Sequence, residues 1–298
     1  TSKNDEAEAG IFVLSRIAGE GADVTLNYSG YSSDMTNGNY LRLSQKEKDV
    51  LKNMKQLKDN GKLNKIIIVL NFSNQVECDF IDDELYDIDA AIWVGNMGQK
   101  GADALGKVLV GEVNPSGKLV DTFWKSHQYN PVLTNFGPAN TSGSTFQFSN
   151  YNGLGDGADR YVAYAEGIYV GYRYTETRYE DATFNKEKVG NFNYDDVVSY
   201  PFGYGLSYTT FAYSNFNVEK VIGTTESYKL SVDVKNTGNV AGKESVQFYI
   251  SKPYTQYDID NGIEKSSVDL IGFEKTKLLK PNESQELEII VDDQDLKS

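Results

Sequence analysis

Five consecutive apolar residues in the run KIIIVLN (Lys65 to Asn71) leave the chain few choices. The run is too short to cross a membrane and too uniform for a strand with one wet face, so it suits a strand buried on both sides of a parallel sheet. IFVLS (Ile11 to Ser15) and DAAIWVG (Asp89 to Gly95) have the same character. Parallel strands need long crossovers, and the chain supplies one between the first two runs. In SQKEKDVLKNMKQLKDNGK, Ser44 and Glu47 form a capping box, Val50, Leu51, Met54 and Leu57 make an apolar face, and Gly61 marks a stop. A second helix is expected at Ala102 to Val110, closed by Gly111 and followed by an Asn-Pro-Ser-Gly turn. The beginning of the chain therefore reads as a βαβα arrangement with right-handed crossovers.

Past Pro201 the period changes. FAYSNFNVEK, YKLSVDVKNTG, ESVQFYISKPY, VDLIGFEKTKLL and SQELEIIVDD read as successive strands with turn signals at Asn236 to Gly238 and Pro281 to Asn282. Their spacing suits a β-sandwich of about 100 residues. Between the two patterns lies a stretch rich in Gly, Ser, Asn and Tyr, read as a wrap joining the domains. The expected fold class is thus α/β, with a partial α/β sandwich over residues 1–130, a linker over 131–200 and an all-β sandwich over 201–298. The final VDDQDLKS stops without an evident closing strand, as in a truncated chain.

Composition removes several function classes. A formal charge of −14 repels phosphate backbones, and no basic stripe with interleaved aromatics counters it, so nucleic acid is not an expected partner. No apolar run reaches the roughly 20 residues of a membrane span. One cysteine, Cys78, and one histidine, His127, leave neither an internal disulfide nor a zinc cluster. The lone cysteine fits a cytoplasmic protein without ruling out secretion, and a homodimer is compatible with the sequence. The sequons at Asn27, Asn71, Asn140 and Asn282 matter only in a glycosylating host.

The candidate chemistry centres on VLSRIAGEGADV, where Glu20 stands between Gly19 and Gly21 five residues after a buried strand. Ligands of open α/β sheets bind at the carboxyl ends of the strands, and flanking glycines allow close backbone approach. The placement suits a general acid, and equally a solvated loop carboxylate. Glycosidic hydrolysis normally needs a second carboxyl group. Asp23 lies in the same loop and is a candidate substrate contact or loop-shaping residue, while Asp82, Asp83 and Glu84 read as a solvated helix start. No second catalytic carboxylate stands out. His127, in KSHQYNP, shows no acidic partner and reads as a surface or capping residue. Cys78, between Glu77 and Asp79, reads as an inert thiol whose pKa the acids raise. The glycines of WVGNMGQKG are spaced Gly-x-x-Gly-x-x-Gly rather than as a dinucleotide fingerprint, so they are assigned to helix packing. The alternating tyrosines of YVGYRYTETRYE could stack on sugar rings, but read first as a strand packing on a neighbouring domain.

Taken in order, VLSRIAGEGADV, NYLRLSQKEKDVL, KIIIVLN, GEVNPSGKLVDTF, EGIYVGYRYTETRYE and YPFGYGLSYTTF resemble the C-terminal half of family 3 glycoside hydrolases. KNTGNVAGKESVQFYISKP and LIGFEKTKLLKPNES resemble the fibronectin type III-like domain that follows in those enzymes. The resemblance implies a β-glucosidase-like, retaining, exo-acting β-glycosidase that uses no cofactor. Its acid/base glutamate would correspond to Glu20, and its aspartate nucleophile would come from a barrel domain that these 298 residues lack. The family's early sandwich strands and glycine-rich loop are also absent, so the chain is expected to be catalytically incomplete alone. In many relatives the motif continues into an Asp-Arg pair, whereas here Asp23 precedes Val24. Expected partners are the barrel, from the same precursor or a second chain, and a β-linked oligosaccharide or aryl or alkyl β-glycoside. The competing reading is a non-catalytic carbohydrate-binding or structural module.

Overall fold

The computed structural model describes residues 7–16, 39–135, 148–149, 160–161, 164–184, 190, 192–221, 223, 226–294 and 296. In chain order the elements are β1 (Gly10–Ser15), α1 (Gln45–Asp59), β2 (Ile66–Asn71), β3 (Ala90–Trp93), α2 (Gly101–Leu109), β4 (Phe123–Trp124) and α3 (Pro131–Asn135). Then come β5 (Phe148–Ser149), β6 (Arg160–Tyr161), α4 (Tyr172–Phe184), α5 (Tyr194–Val197) and β7 (Val198–Tyr200). The chain continues with β8 (Phe211–Val221), β9 (Ser227–Asn236), β10 (Ser245–Ile250), α6 (Gln256–Asn261), β11 (Asp269–Lys275) and β12 (Ser284–Asp292). The described residues fall into two compact units, one drawn from 1–102, 123–166 and 195–199, the other from 103–122, 167–194 and 200–298.

The first unit is built on a parallel sheet in the order β1-β2-β3. Its register runs Leu14 to Leu70 to Trp93, so the three strands end together. Ile66, Ile68, Val69 and Leu70 of β2 are buried, as expected for the central strand of a sheet covered on both faces. The capping box forms as the sequence predicts: Ser44 Oγ accepts from Glu47 N–H at 3.3 Å and Glu47 Oε2 accepts from Ser44 N–H at 2.7 Å.

The apolar face of α1 is rotated from expectation. Val50 and Leu57 are exposed, and the inward stripe is Glu47, Leu51, Met54 and Lys58, which at about 100° per residue occupy one narrow sector. The reason lies at the stripe's two ends. Glu47 meets Arg16, and Lys58 Nζ reaches Asp89 Oδ2 at 2.8 Å and Asp87 Oδ2 at 2.9 Å. Three ion pairs, one at the Glu47 end and two at Lys58, thus set the helix rotation that hydrophobicity alone leaves loose. Asp82, Asp83 and Glu84 are exposed, but they follow a 3-10 turn, Asp79–Ile81, and start no helix.

The second unit carries two antiparallel sheets, ordered β12-β9-β8 and β10-β11. Leu230, Val232 and Val234 of β9, Val246 and Phe248 of β10, and Leu287 and Val291 of β12 alternate inward around a core shared with Leu279. Asn236, fully buried, joins its turn signal to this core. Its Oδ1 accepts from Thr209 Oγ1 at 2.7 Å and Gly238 N–H at 3.1 Å, and its Nδ2 donates to the carbonyls of Val240 at 2.8 Å and Leu279 at 2.9 Å.

YVGYRYTETRYE is not a strand. From Tyr172 onward it is helical, because its side chains are anchored along one short segment. Tyr172 Oη accepts from Leu270 N–H at 2.9 Å, Thr177 Oγ1 accepts from Ser267 N–H at 2.9 Å, and Arg173 pairs with Asp269 at 2.6 Å. Tertiary contacts override the strand preference of tyrosine.

Two conspicuous motifs of the sequence meet in this unit. Asn114 Oδ1 accepts from Ser207 Oγ at 2.9 Å and Tyr208 N–H at 2.8 Å, and Leu119 N–H donates to the Tyr204 carbonyl at 2.7 Å. Gly203 N–H returns a bond to the Leu119 carbonyl at 2.8 Å, and Lys118 Nζ donates to the Gly205 carbonyl at 2.9 Å. A Cβ at Gly205 would lie 2.3 Å from the Gly117 carbonyl oxygen. Glycine is required there because the obstruction is backbone. Gly205→Ala should therefore lower stability by about 1–3 kcal/mol. Gly106→Ala, in open space within α2, should raise it by about 0.5–1 kcal/mol. Opposite shifts of the urea midpoint in the two variants check this.

Candidate active-site frame

The carboxyl ends of β1, β2 and β3 form one rim at Ser15, Asn71 and Trp93. Trp93 Nε1 donates to the Phe72 carbonyl at 2.6 Å, and its ring meets Phe123 edge-on with centroids 5.7 Å apart. Phe72, Phe123 and Trp124 are buried. The rim therefore stands on packed aromatics. Glu20 and Asp23 lie outside the described residues, four and seven positions after Arg16.

Arg16, the residue directly after β1, is 8% exposed, and all five of its N–H donors are engaged. Nε donates to the Tyr40 carbonyl at 2.7 Å. Nη1 donates to the Ser15 carbonyl and to Glu47 Oε1, each at 2.8 Å. Nη2 donates to the Arg42 carbonyl at 2.7 Å and to Glu47 Oε2 at 2.9 Å. The fork on Glu47 is the two-pronged pairing that guanidinium geometry favours. The guanidinium also lies over the Tyr40 ring, 5.4 Å from its centroid. Sequence reasoning passed over Arg16. Its signal was a cation placed immediately after an apolar strand, ahead of an acid with a capping role.

A second charged cluster stands beside it. Glu77, 3% exposed, pairs with Arg42 Nε, and its Oε1 accepts from His127 N–H at 3.0 Å. His127 Nδ1 is 3.6 Å from the same oxygen, and Glu77 N–H donates to the Leu41 carbonyl at 2.9 Å. His127 is thus a buried residue with an acidic partner, contrary to its sequence reading. Glu77 lies 50 positions away in the chain, which hid the pairing. Burial alone would raise the Glu77 pKa, but hydrogen bonds from His127 and Arg42 outweigh it and hold the carboxyl below its ordinary 4.5. Cys78 is fully buried, and burial first, then the charge of Asp79, pushes its thiol far upward. It is inert as expected, with burial rather than the neighbouring acids as the leading cause.

Among the described residues no helix is long and apolar enough to cross a membrane, and no group of three or more His, Cys, Asp or Glu side chains is placed to hold a metal ion.

Residues 1–172 match the glycosyl hydrolase family 3 C-terminal domain. The chain belongs to glycoside hydrolase family 3. Within that family it is 33% identical over 294 residues to a beta-glucosidase of Ruminococcus albus, covering 99% of this chain and 24% of that protein. It is 30% identical to thermostable beta-glucosidase B of Acetivibrio thermocellus, covering 97% of this chain and 32% of the relative. Among solved structures, beta-glucosidase 3B of Thermotoga neapolitana in complex with alpha-D-glucose superposes with a TM-score of 0.71 at 32% identity. That similarity covers 98% of this chain and 33% of the other. The chain therefore spans 24–33% of the length of these family 3 relatives. Its α/β class, with a parallel sheet followed by antiparallel sheets, agrees with this membership.

The Glu77 cluster gives a signed pH effect. A depressed carboxylate pKa contributes stability that is complete above the ordinary 4.5 and is lost as pH falls toward the folded-state value. Arg42→Gln removes one of the hydrogen bonds that depress it, so Glu77 should protonate at higher pH. Carbon-13 NMR titration of the Glu77 carboxyl checks this, with an upward move of its midpoint expected in the variant.

Proposed function

We propose that this chain supplies the general acid/base, Glu20, to a retaining β-glucosidase site whose aspartate nucleophile belongs to a barrel domain. The observation that carries the reading is the alignment of beta-glucosidases from separate bacteria along 97–99% of the chain. It is supported by the position of Glu20 shortly after the carboxyl end of β1, where α/β sheets bind ligands. The sandwich formed by β8 to β12 would act as the family's fibronectin type III-like brace.

The chemistry assigned to Glu20 has two stages. It first donates a proton to the glycosidic oxygen while the aspartate attacks the anomeric carbon, giving a glycosyl-aspartate. It then accepts a proton from water, which releases the sugar with retained configuration. The role requires Glu20 to be protonated near neutral pH, and partial burial or a neighbouring negative charge is what raises a carboxyl pKa in this way. Asp23 is assigned to shaping the same segment. The substrate is a terminal β-glucoside, an oligosaccharide or an aryl or alkyl glycoside, by analogy with the relatives' activity.

The test is complementation of the chain with a family 3 barrel domain. The chain alone should not hydrolyse cellobiose, and the combined protein should. Glu20→Gln should lower turnover of cellobiose by on the order of 10²–10⁴-fold. It should affect 2,4-dinitrophenyl β-glucoside least, because that leaving group needs little protonation. Equal loss with both substrates would remove Glu20 from the acid/base role. Oligosaccharide affinity of the isolated chain without activity on complementation would favour a binding module instead.

A further inference from the structure

We propose that Arg16 is the positioning residue of the acid/base segment, fixing both of its ends to the first turn of α1. The proposal rests on the reading of Glu20 as the acid/base and extends it to a residue that does not touch substrate.

Residues 17–38 connect Arg16 to Asn39, and the guanidinium binds backbone on both sides of that connection. It holds the Ser15 carbonyl before the segment and the Tyr40 and Arg42 carbonyls after it. The same planar group forks onto Glu47, so its orientation is set by α1. Glu47 is fixed in turn, because its Oε2 also accepts from Ser44 N–H in the capping box. The other end of α1 is anchored through Lys58 to Asp89, whose Oδ2 accepts from the first N–H of β2 at 2.8 Å. The ends of the segment are therefore referenced to the sheet through one side chain.

Glu20 follows Arg16 by four residues, so its Cα is at most about 14 Å from that of Arg16. Proton donation to a leaving oxygen tolerates little error, and misplacement of about 1 Å costs on the order of 10²-fold. Lysine cannot substitute, since its three donors radiate from a point and cannot serve three carbonyls and a carboxylate fork together.

The experiment compares Arg16→Gln, Glu47→Gln and Glu20→Gln in the chain combined with a family 3 barrel. Glu47→Gln is the safeguard if Arg16→Gln fails to fold, because glutamine keeps the capping box while removing the charge. For both positioning variants, cellobiose turnover should fall about 10- to 100-fold, with KM little changed and 2,4-dinitrophenyl β-glucoside turnover largely retained. Hydrogen exchange within residues 17–38 should rise in both, while β2 stays protected. Equal losses with the two substrates, or none, overturn the positioning role while Glu20→Gln still discriminates between leaving groups. If Glu20→Gln itself shows no leaving-group dependence, the acid/base reading fails and this inference fails with it.

Discussion

A buried guanidinium must place every N–H on an acceptor, and that demand organises the first unit. Arg16 meets it with three carbonyls and one carboxylate. A buried charge is costly unless it is both paired and fully hydrogen-bonded, so the carbonyls of Ser15, Tyr40 and Arg42 must converge on it. That convergence draws the end of β1, the strand-free residues after 38 and the start of α1 to one point. The helix then has its rotation set by the Glu47 end, and Lys58 repeats the constraint at the other end with Asp87 and Asp89.

Charge pairing extends sideways from there. Arg42 offers its carbonyl to Arg16 and its side chain to Glu77, and Glu77 takes the backbone N–H of His127. The arrangement links three separated parts of the chain. Hydrophobic burial in Ile66, Ile68, Val69 and Leu70 supplies cohesion, while these ionic contacts supply geometry.

In the second unit a neutral amide plays a comparable part. Asn236 satisfies two donors and two acceptors at the end of β9 and ties that strand to the Leu279 carbonyl beside the core. The segments around Asn114 and Gly205 interlock through backbone bonds so closely that a side chain at 205 has no room. Motifs that stand out in the sequence do so here because two remote stretches must fit each other.

The sequence by itself determined the parallel strands, the capping box of α1, the five strands from Phe211 onward and the family, because apolar period, cap chemistry and glycine placement are local signals. It also marked Glu20 as a candidate acid, which lies outside the described residues. Only the tertiary structure decided the rotation of α1, the helical state of Tyr172–Phe184, the burial of His127 and the full satisfaction of Arg16. Each of these depends on partners 24 to 98 positions away, from Tyr40 for Arg16 to Leu270 for Tyr172. No local pattern encodes such separations: the strand preference of tyrosine and the apparent solitude of one histidine describe neighbours in the chain, whereas hydrogen-bond satisfaction is settled among neighbours in space.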